Sequence, residues 1–193
     1  MTAGAASTAK STFAVPEGHH NSDLSSTACH IGLGRRRDLT MRQDLRLFSG
    51  DKALTLAEVF HSFKTLLVGF PGGKICTEQH VPGYAQSAAE LKAAGIDKVV
   101  AVTVAPPQEV EAWAAQHGFD KADMVQVLSD RSGAFTRLLG LEQPAGPGGP
   151  PCQRFAAVVD NGILLRLKVE QSPAELKVTD IKSMLKTFAD AYA

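Results

Sequence analysis

The chain has 193 residues, with 20 Lys plus Arg balanced by 20 Asp plus Glu. That neutrality gives no call for nucleic acid or an anionic membrane as a partner, and no run of about 20 apolar residues is present to span a bilayer. A chain of this length can bury a full core without staples. Its three cysteines, Cys29, Cys76 and Cys152, are too few and too scattered for a disulfide framework or a zinc site. A reducing compartment, with at least one thiol kept for its reactivity, fits that usage.

Residues 1–43 are rich in Ser, Thr, Ala and Gly, carry no sustained period and run through Arg35, Arg36 and Arg37. This is the composition of a flexible, disordered extension or of an organellar transit peptide; Glu17, Asp23 and Asp38 stand against the second, since transit peptides are acid-poor. His19, His20, Cys29 and His30 match no familiar ligand spacing, so no metal is expected there. From residue 44 onward the pattern is regular and predicts a single domain, 44–193.

The apolar run Thr65–Phe70, closed by Pro71-Gly72-Gly73, predicts a buried strand. Residues 84–95 read as an Ala-, Leu-, Glu- and Lys-rich helix stopped at Gly95. The β-branched run 98–104 suits a parallel sheet. Residues 106–118 form a proline-started helix with Val110, Trp113, Ala114 and His117 on one face. A strand follows over 124–128 and a short helical segment over 132–141. The Pro/Gly stretch 142–151 cannot be regular structure. Asp160-Asn161-Gly162, between two apolar runs, predicts a tight hairpin. The last helix carries Ile181, Leu185 and Phe188 on its apolar face, with its start either at Ser172-Pro173-Ala174-Glu175, which resembles a capping box, or at Thr179. This order predicts an α/β fold: a central mixed sheet with helices on both faces and a right-handed β-α-β crossover.

Within this frame the block Cys76-x-x-x-His80-x-Pro82-Gly83-Tyr84 and the strand Arg154-Phe155 carry a resemblance. With 55–60, 66–72, 89–104, 111–113 and 128–142 in order, residues 45–188 resemble the type II, or atypical, peroxiredoxins of the redoxin family. The resemblance implies a thioredoxin-like fold and a peroxidase that uses a cysteine nucleophile with no metal or organic cofactor. Its substrates would be hydrogen peroxide and small alkyl hydroperoxides. Thioredoxin, glutaredoxin or glutathione would be the reductant, and a homodimer the assembly. The compartment would be the cytoplasm, or a mitochondrion or plastid if the extension is a transit peptide.

By the same resemblance Cys76 is the peroxidatic cysteine and Arg154 the active-site arginine, with Pro71 and Gly73 in the substrate-binding corner. Cys76 also stands at an expected helix N-terminus, where unsatisfied N–H groups and a nearby guanidinium favour the thiolate. His80 is read as a packing residue, not a base. The family corner reads Pro-x-x-x-Thr-x-x-Cys; here Pro71-Gly72-Gly73-Lys74-Ile75-Cys76 is two residues shorter, and Gly73 stands three before the cysteine in place of the threonine. Losing one preorganised donor at a developing charge typically costs about 10²–10³ in rate. Lys74 is either a solvated turn residue or an ammonium that partly compensates. Cys152 is either incidental or the internal resolving thiol; without it the cycle is one-cysteine, with an external thiol. Two readings follow: a thiol peroxidase, or a non-catalytic relative serving as redox sensor or interaction module.

Overall fold

The computed structural model describes residues 37–143 and 152–193. The expected extension therefore lies outside the described residues as far as residue 36, with His19, His20, Cys29 and His30, and so does the Pro/Gly stretch from 144 to 151. The packed domain begins earlier than residue 44. Arg37–Asp38 already form a strand against the late hairpin, and Leu39 is fully buried. An apolar side chain in an otherwise polar arm gives no periodic signal, which is why the boundary fell late.

The strands are β1 (Arg37–Asp38), β2 (Arg46–Ser49), β3 (Lys52–Thr55), β4 (Lys64–Gly69), β5 (Lys98–Thr103), β6 (Val125–Ser129), β7 (Phe155–Asp160) and β8 (Ile163–Val169). They form one mixed sheet in the order β1-β8-β7-β4-β5-β6-β2-β3. β4 pairs parallel with β5, and β5 with β6, whereas β7 lies antiparallel to β4. The β2–β3 hairpin was not expected; its signal was the Gly50-Asp51 pair, with Gly50 at φ 52°. The expected hairpin at Asn161-Gly162 is present, with φ 48° and 83° at the two turn residues, the signs of a type I′ turn.

The helices are α1 (Leu56–Phe60), α2 (Val81–Gln86), α3 (Ala88–Ala93), α4 (Pro107–Gln116), α5 (Ala134–Leu139) and α6 (Ile181–Tyr192). Alternation along the central strands divides them between two cores. One face carries Leu67, Val100, Val102, Phe155 and Ala157 against Phe60 of α1 and Phe135 and Leu139 of α5. The other carries Leu66, Val68, Ala101, Ala156 and Val158 against Val81, Tyr84, Leu91, Ala114, Met184 and Phe188. The helix expected over 84–95 is instead the end of a longer one. A π-helical turn spans Cys76–His80 and runs directly into α2, and α3 restarts after a break at Ser87. α6 starts at neither expected position. Asp180 caps it, accepting from the N–H groups of Lys182 and Ser183. Ser172–Glu175 forms a local turn in which the Glu175 N–H donates to the Ser172 carbonyl at 3.1 Å.

Candidate active site

β4 ends at Gly69, and the chain turns through Pro71-Gly72-Gly73 into a helix that opens at Lys74-Ile75 and passes at once into the π-turn. Gly69 is required by close packing: a Cβ there would collide with the Phe155 ring. Phe155 thus rests on the strand just before the corner, and Arg154, its neighbour, reaches Cys76 just after it. Gly72 and Gly73 hold φ of 90° and 82°, the left-handed region that only glycine enters freely. The Gly73 carbonyl then accepts from the N–H groups of Cys76 at 3.1 Å and Thr77 at 3.2 Å. The shortened corner is therefore closed by its own backbone hydrogen bonds.

Cys76 is fully buried in the second core, and its sulfur accepts from Arg154 Nη1 at 3.2 Å. Arg154 is itself 2% exposed. Its Nη2 donates to the Pro173 carbonyl at 2.8 Å, and its Nε–H has no partner among the described residues. Among the described residues no carboxylate is hydrogen-bonded to this guanidinium, and its one hydrogen-bond partner able to carry a compensating negative charge is the Cys76 sulfur; a buried cation without such a partner is costly.

The expectation of a thiol held low at a helix terminus is corrected. Burial pushes the Cys76 thiol above its ordinary range; the Arg154 charge, the Gly72 backbone N–H and the Arg154 hydrogen bond pull it down without cancelling that push. The physical reason is enclosure, since the Cys76 side chain is fully buried. The amide that favours the thiolate belongs to Gly72, while Gly73 contributes its carbonyl to the helix start. Pro71 is half-buried at the corner's entry.

Lys74 has an 81% exposed side chain, 3.9 Å from Glu78, and is a solvated turn residue. Thr77 turns its hydroxyl to the Gly73 carbonyl. Neither stands in for the missing threonine. His80 is 1% exposed; burial, followed by the Arg154 charge, lowers its pKa to about 4. A neutral ring can donate from Nε2 to the Thr179 carbonyl at 3.2 Å, and the Tyr84 hydroxyl donates to the same oxygen at 2.6 Å. Cys152 is 1% exposed. Burial drives its thiol up to about 12, against a Val104 N–H that favours the thiolate, and the neighbouring Cys76 and Asp130 charges raise it further. Two features escaped the sequence reading, the π-turn and the carboxylate of Glu170 behind the site. Neither has a local signal.

A mixed sheet flanked by helices, with a buried thiol facing an arginine near the start of a helix, is a thioredoxin-like scaffold. The family model described as Redoxin matches residues 39–185. The mitochondrial peroxiredoxin-2F of Arabidopsis thaliana is 30% identical over 167 residues, 84% of this chain and 80% of that one. The chloroplastic peroxiredoxin-2E of the same plant is 34% identical over 65% of this chain and 56% of its own. Reduced Prx3 from Vibrio vulnificus superposes with a TM-score of 0.71 at 30% identity, covering 80% of this chain and 97% of that one; the same protein in complex with H2O2 gives 0.69. The chain belongs to the redoxin family and is a peroxiredoxin of the thioredoxin superfamily.

Proposed function

We propose that the protein is a thiol-dependent peroxidase in which Cys76 reduces hydrogen peroxide and small alkyl hydroperoxides. The observation that carries this reading is the 3.2 Å contact between Arg154 Nη1 and the Cys76 sulfur. In the proposed step the thiolate attacks one peroxide oxygen. An S–O bond forms as the O–O bond breaks, the sulfur loses two electrons and becomes a sulfenic acid, and the departing oxygen leaves as water or an alcohol after taking a proton. Arg154 stabilises both the thiolate and the charge on the leaving oxygen, and its free Nε–H is a further donor. The Gly72 N–H and the Pro71–Gly73 corner supply the rest of the substrate contact. Hydrogen peroxide is the ligand of the Vibrio vulnificus Prx3 complex, which supports the substrate class.

The recycling half is proposed as one-cysteine. An external thiol (thioredoxin, glutaredoxin or glutathione) attacks the sulfenic sulfur, releasing water, and a second thiol displaces Cys76 from the mixed disulfide. Cys152 is the internal alternative, but a buried thiol raised to about 12 is a poor nucleophile at neutral pH. A homodimer remains a proposal on family grounds. An organellar compartment is supported by the mitochondrial and chloroplastic relatives. The second reading, a non-catalytic redox sensor, is favoured by the full burial of Cys76 and by glycine in place of the family threonine. Trapping of the sulfenic acid with dimedone separates them: stoichiometric labelling of Cys76 within seconds at micromolar peroxide supports the peroxidase, and labelling only over many minutes at millimolar peroxide supports the sensor.

A further inference from the structure

Behind Arg154 the chain leaves β8 at Glu170, runs through a strap of residues 171–179 and enters α6. Glu170 is 6% exposed. Its own N–H donates to the Arg154 carbonyl at 2.9 Å, adding one rung to the β7–β8 ladder. Its Oε1 accepts four hydrogen bonds, from the N–H groups of Lys177, Val178 and Thr179, each at 2.8 Å, and from the Thr179 hydroxyl at 2.9 Å. An ionised carboxylate oxygen is the acceptor best suited to so many donors.

The strap returns two carbonyls to the site. Pro173 takes Arg154 Nη2 at 2.8 Å, and Thr179 takes both His80 Nε2 and the Tyr84 hydroxyl. His80 ends the π-turn that Cys76 begins, and Tyr84 lies in α2. A single carboxylate therefore folds the segment that holds the guanidinium on one side and the cysteine-bearing helix on the other. We propose that Glu170 is a positioning residue: through the strap it fixes the distance and orientation between Arg154 and Cys76.

The proposal rests on the peroxidase reading for its rate consequence, but not for its readout on the thiol. Shape and charge act in opposite directions here. If Glu170 mattered as a nearby negative charge, removing the charge would ease Cys76 ionisation. If it matters by reach, moving the carboxylate back would loosen Arg154 and hinder ionisation.

Glu170→Asp keeps the charge and withdraws the carboxylate by about 1.5 Å; Glu170→Gln keeps the reach and removes the charge. The experiment measures the pH midpoint of Cys76 alkylation, with the site assigned by mass spectrometry, alongside sulfenic acid formation at neutral pH. The expected result is a midpoint raised by about one unit in Glu170→Asp, an approximately tenfold loss of thiolate below it, with a parallel loss in oxidation rate, and a substantial return toward wild type in Glu170→Gln. An unchanged midpoint in Glu170→Asp, or a midpoint that falls in Glu170→Gln, overturns the proposal. Should Glu170→Asp fail to fold, Thr179→Val, which deletes one of the four donors, takes its place, and an unchanged midpoint there overturns the proposal equally. If wild type forms no sulfenic acid the peroxidase reading fails, while the alkylation midpoints still decide the role of Glu170.

Discussion

Cys76 and Cys152 are both buried and both free, and Cys152 stands two residues before the arginine that touches Cys76. They differ in what faces the sulfur. Cys76 meets a guanidinium at 3.2 Å and the Gly72 N–H. Cys152 has the Val104 N–H and, as the least of the influences on it, the Arg154 charge, and its pKa climbs to about 12. Burial raises both thiols; specific donors are what keep one of them within reach of ionisation. The difference between the two thiols is a matter of partners, not of exposure.

The largest effect that sharpens this contrast is at the thiols themselves. Cys76→Ser should abolish sulfenic acid formation, while Cys152→Ser should leave that first step within about twofold of wild type, since its sulfur lacks the cation. Labelling by dimedone followed by peptide mapping reads both outcomes. Strong labelling at Cys152 would break the comparison.

A smaller effect follows from the neutral His80. That ring lies close enough to Arg154 for the guanidinium charge to oppose its protonation. Its folded-state pKa of about 4 lies below the unfolded value near 6.5. The unfolded chain therefore takes up a proton first as pH falls. Stability is fully present above about pH 6.5 and is lost progressively toward pH 4, by roughly 3 kcal/mol from this group. Chemical denaturation across that range should show the loss, and His80→Gln should flatten it. A slope unchanged by the substitution would mean that another group carries the acid sensitivity.

What the sequence made legible divides along the same lines. β4, β5 and the Asn161-Gly162 hairpin were readable because a continuous apolar run or a two-residue turn is a local signal. Cys76 and Arg154 were brought together by resemblance, and the structure joins them across 78 positions of chain. The enclosure that raises the Cys76 thiol was not readable, because it depends on residues far away in the chain, such as Ala156 and Val158 of β7 and Met184 of α6, sharing one core with it. The start of α6 was missed for a related reason: Asp180 is one capping candidate among several, and the Glu170 carboxylate removes Thr179 by taking its hydroxyl and N–H. Short edge strands such as β1 bury too little to leave a pattern.

The central claim is that Arg154 governs the ionisation of a fully enclosed sulfur. The direct measurement is the pH titration of the Cys76 thiolate, by absorbance near 240 nm, in a Cys29→Ser/Cys152→Ser background with and without Arg154→Gln. A hydrogen bond to a charged group contributes about 1.5–3 kcal/mol, so removal of the guanidinium should raise the midpoint by roughly 1–2 units. A midpoint that stays put when the guanidinium is gone would contradict the account.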